Sequence, residues 1–315
     1  MAALAVLAAA VLWGTVGAAQ ELGAPEASPA AVAAVRSLGG GLLLVASVLL
    51  ARRGAQLTAV LRAAPGLATG AIVAISVFQL GYLAGIRVGG VAVGTLLGIG
   101  SAPMFAGLLS QLRGRPPGGR WMVATVATIV GAGALLLGGG EAGTTPLGAG
   151  LSLMAGAAYA SYTVLAKQLL DRGLAGPSVM AVIFTGAGLL LLPVLVVTGG
   201  GWLLSSRGAL TALWLGVAGT LLGYRLFARG LAGVDAATAT TLTLAEPLTA
   251  ALLGTVLLAE RLTGWALVGA GLLAVGLVLA AVPGGPARLD RRRNAHDHDR
   301  AGSRGDQRHG DRPRR

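Results

Sequence analysis

The chain has little cysteine, histidine or charge, and each shortage excludes a class of chemistry. No cysteine occurs among its 315 residues, which excludes disulfides and thiol chemistry. The three histidines, His296, His298 and His309, all lie near the C-terminus, so the rest of the chain has no imidazole for a base or a metal ligand. Charged residues make up 11%, against about 25% in soluble domains. The sequence therefore predicts a protein that is not an enzyme and that has no metal site and no cofactor.

Long apolar runs fill most of the sequence instead, since 55% of the residues are hydrophobic. Ten of these runs have about the 20-residue length that a helix needs to cross a bilayer. Backbone groups in lipid must be satisfied within their own helix, so the runs predict an all-α integral membrane bundle with ten transmembrane helices. The predicted spans are 2–20, 30–51, 66–86, 90–112, 121–137, 147–170, 178–197, 210–227, 236–259 and 262–282.

Basic residues are concentrated in alternate gaps between the runs. One set of gaps has only Arg87, Arg207 and Arg261, while the other set and the C-terminal tail hold most of the arginines. Because cytoplasmic loops are enriched in Lys and Arg, this asymmetry predicts a multi-pass protein of the cell membrane with both termini in the cytoplasm. The net charge of +12 is explained by this orientation, so the lipid bilayer rather than nucleic acid is the expected partner.

The two ends of the chain differ in character. The first run has no positive segment before it, which favours a retained helix over a cleaved signal peptide. Residues 283–315 are polar, basic and of low complexity, which predicts a disordered cytoplasmic tail. The His-Asp-His-Asp stretch that begins at His296 is a candidate for metal binding, but a solvated tail is the favoured interpretation.

A weak internal repeat divides the apolar body into two units. Residues 88–137 and 232–281 align without gaps at an offset of 144 positions, which places Pro103 on Pro247 and Trp121 on Trp265. The units, 1–138 and 147–282, then contain five helices each. Because five is an odd number of membrane crossings, the second unit has the opposite orientation in the membrane. Two inverted five-helix repeats are typical of alternating-access transporters, whose substrate site lies near the membrane midplane between the repeats.

Short motifs in the apolar body carry a resemblance to a known family. They are Trp13-Gly14, Arg36, Glu246-Pro247, Glu260-Arg261-Leu262, Gly269 and Gly276. In this order they resemble the EamA family of the drug/metabolite transporter superfamily. One departure is RGRPPGGR at 113–120, where the first repeat lacks the acid that the second has at Glu260.

The resemblance implies a secondary transporter, often an exporter of amino acids or other small metabolites, which proton coupling could drive. The alternative is a multidrug or other small-solute permease, or a channel-like protein of the same fold, without proton coupling. A channel more often has rings of repeated polar residues and no inverted repeat. The expected partner is a small-molecule substrate, and the protein is expected to be a monomer or a homodimer.

Glu246 is the main candidate for the functional site, because it is the acid placed well inside an apolar run. Ionisable residues at that depth are rare and are functional by default. Thr243 and Thr249 lie three positions to either side of it on the same helical face, and Pro247 should free the carbonyl of Thr243. Glu246 either binds a proton or a substrate ammonium group, or is a structural acid paired with another helix.

Further candidates lie on other runs, as polar or aromatic residues at helical spacing. Each could line a cavity or only bond a neighbouring helix. Arg36 either pairs with an acid or anchors the end of its helix, and a structural role is the favoured interpretation. The pattern of Gly90, Gly94 and Gly98 favours close helix packing. The candidates for the substrate or proton pathway are Trp13, Gln79, Tyr82, Tyr159 and Tyr162.

Overall fold

Within the part of the chain that the structure describes, ten helices are long and apolar enough to span a membrane. The computed structural model describes residues 1–137, 145–257 and 262–282, and these ranges contain no strand. The predicted all-α ten-span architecture is thereby confirmed. The predicted disordered tail and the Glu260-Arg261 motif lie outside the described residues. The ten helices are α1 (Ala2–Gly23), α2 (Pro29–Leu50), α3 (Pro65–Gly89), α4 (Val91–Leu112), α5 (Gly119–Leu137), α6 (Pro146–Asp171), α7 (Gly176–Thr198), α8 (Ser206–Gly233), α9 (Ala236–Leu257) and α10 (Gly264–Ala281).

Side-chain caps fix where several of the helices begin. Each cap oxygen accepts a hydrogen bond from a backbone N–H of the first turn, which would otherwise have no partner. In α2 and α6 a proline follows the cap directly, where its missing N–H costs nothing. The caps are Ser28 for α2, Thr145 for α6, Ser205 for α8 and Asp235 for α9.

Two helices are interrupted at corresponding places in the two halves of the chain. In α4 the break is at Ser101, two residues before Pro103. In α9 the first segment ends at Leu242 and the second begins at Ala245, just before Pro247. Because Pro247 has no N–H, the carbonyl of Thr243 accepts instead from the backbone N–H of Glu246, at 3.0 Å. This carbonyl is therefore bonded, contrary to the expectation that proline would leave it free.

The helix pairing is unchanged when the two halves are exchanged. Helix α3 packs against α6, and the corresponding pair is α8 with α1. Helix α4 packs against α6, and the corresponding pair is α9 with α1. The pairs α2–α7, α4–α9 and α5–α10 each correspond to themselves. Each of these contacts therefore has a counterpart when the halves are exchanged, as two repeats related by a two-fold axis require. The inversion of one repeat relative to the other stays a prediction.

Glycines bring the backbones of paired helices into contact. A Cβ added to Gly269 would overlap the α5 backbone at Leu135, and one added to Gly188 would overlap the α2 backbone at Leu38. In lipid there is no hydrophobic force between helices, so close van der Waals packing at small residues holds them together. Gly94 lies against Ile86 in the same way, which agrees with the packing role predicted for the glycines of α4.

One short helix is absent from the sequence prediction. Residues Ala55–Ala63, between α2 and α3, form a helix of nine residues, in a stretch where the sequence pattern predicts a basic gap. Val60 is buried, and the side-chain oxygen of Gln56 accepts a hydrogen bond from Ser178 at 3.3 Å. A helix of nine residues is too short to cross a bilayer, so the length of the apolar runs does not indicate it.

Candidate functional site

Eight aromatic rings from five helices form a continuous cluster inside the bundle. The cluster contains all four tyrosines of a chain in which only 4% of the residues are aromatic. Its ring centroids are 3.8 to 6.4 Å apart, within the range of favourable aromatic pairs. We call it the aromatic cluster; its members are Trp13 (α1), Phe78 and Tyr82 (α3), Tyr159 and Tyr162 (α6), Phe184 (α7), and Tyr224 and Phe227 (α8).

Trp13 connects this cluster to α8. Its indole N–H donates a hydrogen bond to the carbonyl of Gly219 at 2.8 Å, and its ring lies 4.7 Å from that of Tyr224. Gly219 is within a π-helical segment, Leu215–Leu222, where the wider turn changes which carbonyls are bonded along the helix. Segments of this kind are frequent at functional sites. The indole of Trp13 thus bonds α8 in addition to lining the cluster.

Glu246 lies at the start of the second segment of α9, immediately after the break. Its side chain is partly buried, and its backbone is close enough to α1 that a Cβ on Gly14 would lie 2.8 Å from its carbonyl oxygen. Three phenol groups of the aromatic cluster are in electrostatic range of both the Glu246 carboxylate and the Arg36 guanidinium. They belong to Tyr82, Tyr159 and Tyr224.

The charge of the Arg36 guanidinium also acts on the Glu246 carboxylate. The two side chains do not form an ion pair within 4.0 Å, and in the described ranges neither charged group is hydrogen bonded to another residue. An opposite charge is therefore close to the carboxylate without neutralising it in direct contact. The helix break, the acid, the arginine and three phenols together form the candidate site.

The threonines predicted beside Glu246 lie on both sides of it along α9. Thr243 is buried, donates to the carbonyl of Thr240 at 2.8 Å and interacts with the phenol of Tyr159. Thr249 donates to the carbonyl of Ala245 at 3.0 Å. Its Cβ faces α1, so that Thr249 belongs to the α1–α9 contact while Thr243 belongs to the candidate site.

The remaining predicted residues bond neighbouring helices. The amide of Gln79 lies 3.0 to 3.1 Å from the hydroxyl of Ser37 on α2. The hydroxyl of Tyr82 is 2.9 Å from that of Thr95 on α4, and Tyr162 donates to the sulfur of Met180 at 3.3 Å. Tyr82 still faces the charged groups, whereas Tyr162 is fully buried among rings.

The sequence pattern did not single out the tyrosine of α8 or any of the three phenylalanines in the cluster. The predicted eighth span ended at residue 227, which placed Tyr224 at a helix end, where an aromatic residue is ordinarily interfacial. In the structure α8 continues to Gly233, and Tyr224 is 4% exposed. The position of all four tyrosines inside apolar runs was the signal that could have identified it.

Comparison with known proteins identifies the family to which the chain belongs. The sequence model of the EamA-like transporter family matches the chain twice, over residues 1–137 and 146–282. This chain belongs to that family. A Bacillus subtilis (strain 168) protein, "Uncharacterized transporter YwfM", is 37% identical over 283 residues, which are 89% of this chain and 94% of the relative.

A solved structure has a similar overall fold. A crystal structure described only as that of a protein aligns with a TM-score of 0.75 at 18% identity, over 89% of this chain and 96% of its own. The family resemblance and the multi-pass membrane location are thus confirmed. Because the family and the Bacillus relative are transporters, movement of a solute across the membrane is the general function, which points away from catalysis. In the described ranges no cluster of three potential metal ligands occurs.

Proposed function

We propose that this EamA-like protein is a secondary active transporter that exports small metabolites, such as amino acids or related compounds, by alternating access coupled to protons. One observation carries the proposal. Glu246 lies at a break in a membrane-spanning helix and faces Arg36 and three phenols without a direct ion pair. Ionisable residues inside the membrane mark substrate and ion pathways.

The position of these groups between the two halves supports alternating access. Arg36 and Tyr82 come from α2 and α3, in the first half, whereas Tyr159, Tyr224 and Glu246 come from α6, α8 and α9 in the second. Motion of one half relative to the other therefore changes the distances among them. Transporters built from inverted repeats bind their substrates at such an interface, next to interrupted helices.

The chemistry of the groups supports a small organic solute with an amino group. A carboxylate without a fixed partner can be occupied in turn by a proton or by an ammonium group, and this exchange couples the two movements. Aromatic faces attract organic cations and cover apolar parts of a substrate. The arginine complements a carboxylate if the solute has one.

The test is transport by the purified protein in liposomes, with a panel of radiolabelled amino acids and related metabolites. For a transported solute, we expect saturation, counterflow and accumulation driven by an imposed pH gradient. Glu246→Gln keeps the shape of the side chain but cannot exchange a proton at neutral pH. This variant should lose gradient-driven accumulation and retain some counterflow, whereas Glu21→Gln, at the exposed end of α1, should behave as the wild type.

Different outcomes identify the alternatives. If Glu246→Gln transports with unchanged rate and unchanged pH dependence, Glu246 is structural and the proton-coupling proposal fails. Loss of substrate binding itself assigns the carboxylate to the substrate. Saturable counterflow without any response to the pH gradient in the wild type identifies a permease without proton coupling, and flux without counterflow identifies a channel.

A further inference from the structure

A second feature of the molecule, separate from the candidate site, is an open cavity of about 600 Å³ at one end of α8. Its walls are the end of α6, the turn into α7 and the part of α8 from Leu222 to Ala232. The cavity extends along α8 from Leu222 to Ala232, a length of about 15 Å at the helical rise per residue. By the distribution of basic residues, this end of the bundle is the predicted cytoplasmic one.

One face of α8 gives the cavity both apolar and cationic character. Leu222, Arg225, Leu226 and Arg229 all line it, and their spacing of three and four places them on the same side of the helix. The opposite wall, which includes Leu174, is apolar. The cavity therefore has an apolar wall, with two guanidinium groups along one edge.

The two arginines have no anionic partner in the part of the chain that the structure describes. Neither Arg225 nor Arg229 forms an ion pair or a hydrogen bond there. The nearby acid, Asp171, is already paired with Lys167 at 2.8 Å, and Lys167 also donates to the carbonyl of Ala232 at 3.2 Å. The rim of the cavity thus has an excess of positive charge. Arg225 also lines a smaller neighbouring cavity, together with Arg53.

The cavity lies at the depth of the headgroup and the upper acyl chain of a phospholipid. Helix α8 has 28 residues, or about 42 Å, which covers the hydrocarbon core and both headgroup regions. Arg229, four residues from the end, lies about 6 Å inside it, near the boundary of the two regions. Leu222 lies deeper, within the hydrocarbon, and is 47% exposed. That part of the cavity therefore faces acyl chains rather than water.

We propose that this cavity binds an anionic phospholipid, with its phosphate on Arg225 and Arg229 and one acyl chain along the apolar wall. Basic pockets between helices on the cytoplasmic side recognise anionic headgroups, and arginine binds phosphate in a two-pronged geometry. A soluble anion would not use an apolar wall that extends about 10 Å into the hydrocarbon, from the level of Arg229 to that of Leu222. The site is independent of Glu246 and of the solute that is transported.

The experiment uses the full chain in phosphatidylcholine nanodiscs that contain increasing amounts of phosphatidylglycerol with a photoactivatable acyl chain. Crosslinks are mapped by peptide mass spectrometry. We expect them on the segments around Leu174 and Leu222. Arg225→Gln/Arg229→Gln should raise the half-saturating mole fraction about 30-fold, the effect of removing two arginines beside an anionic headgroup.

A matched control separates this site from general charge. Arg113→Gln/Arg115→Gln removes the same charge from the same predicted side, outside the cavity, and should leave the crosslinks at Leu174 and Leu222 unchanged. If both double variants lose crosslinks equally, the effect is only electrostatic attraction to the surface and the proposal fails. It also fails if photoactivatable phosphatidylcholine labels the segments as well, or if glycerophosphoglycerol, a headgroup without chains, competes for the site.

A third variant keeps the test decisive if the double variant does not fold. Leu174→Trp fills the apolar part of the cavity and leaves both arginines in place. It should abolish the crosslinks at Leu222 in a protein that elutes as a single peak in size-exclusion chromatography. Arg225→Lys/Arg229→Lys keeps the charge and should retain most of the labelling. Unchanged labelling in Leu174→Trp would show that the cavity does not hold an acyl chain.

Discussion

Gly14 is the residue that lets α1 approach the candidate site. A Cβ at this position would lie 2.5 Å from the Cβ of Thr249 and 2.8 Å from the carbonyl oxygen of Glu246, distances that real side chains do not tolerate. The absence of a side chain at one position therefore sets how closely α1 lies to the acid.

We expect Gly14→Val to push α1 and α9 apart, because its side chain would overlap the α9 backbone. Overpacking of this kind costs about 1 to 3 kcal/mol, so the apparent melting temperature in detergent should fall and transport should be lost. Gly17→Val is the matched control, since nothing lies within 4 Å of a Cβ there. Wild-type stability and transport in Gly14→Val would contradict the close contact.

Part of the candidate site follows from the sequence at this scale. Glu246 is conspicuous because a charge in an apolar run is costly, and Tyr82 and Tyr159 fall on polar helical faces. The groups that surround Glu246 do not follow from the sequence, because they come from helices far apart in the chain. Trp13 and Gly219 are 206 residues apart, and no periodicity within one helix indicates their contact. The sequence allows Arg36 to pair with an acid, but for the same reason it does not indicate that its charge acts on Glu246.

At the scale of single elements, the break in α9 is the feature that presents Glu246. The carbonyl of Thr243 accepts from Glu246 because position 247 is a proline, which has no N–H to donate. The irregular turn therefore depends on one residue, whose ring also prevents a regular helix from forming across it.

We expect Pro247→Ala to allow a continuous helix, in which the new N–H bonds the carbonyl of Thr243. The acid would then rotate away from its present neighbours, so transport should fall although the protein remains folded. Pro193→Ala, which removes the proline within α7 at an exposed position, should transport normally. Liposome flux and circular dichroism measure both effects. Equal transport by the two variants would show that the break in α9 is not needed.

The positions of the elements were largely predictable, and their irregularities were not. All ten spans were found because each is a long apolar run, and their observed ends differ by a few residues where caps such as Ser28 and Asp235 decide. The π-helical segment of α8 was not predictable. It is accompanied by hydrogen bonds from Thr220 to the carbonyls of Leu215 and Arg36, both at 3.2 Å, and the second of these needs another helix.

For the whole molecule, orientation follows from the basic residues. A reporter inserted after Arg53 or Arg115, or fused to the C-terminus, should report the cytoplasm, because these sites lie on the arginine-rich side. A reporter after Pro25 should report the opposite side. Alkaline phosphatase and green fluorescent protein fusions measure both. An external signal from the C-terminus would contradict the even number of spans. It would also contradict the inverted repeat and the cytoplasmic location of the lipid cavity.

The pairing of helices across the halves determines the order in which the protein can assemble during synthesis. Helix α1 packs mainly against α8 and α9. The last residue of α9, Leu257, is synthesised 234 residues after Gly23, the last residue of α1. At about 5 to 20 residues per second, α1 leaves the ribosome about 10 to 50 s before its partners are complete. During that interval the face that bears Trp13 and Gly14 must be covered by lipid, by the insertion machinery or by temporary contacts with other early helices. The first half of this transporter is therefore the part that most needs protection while the chain is still being made.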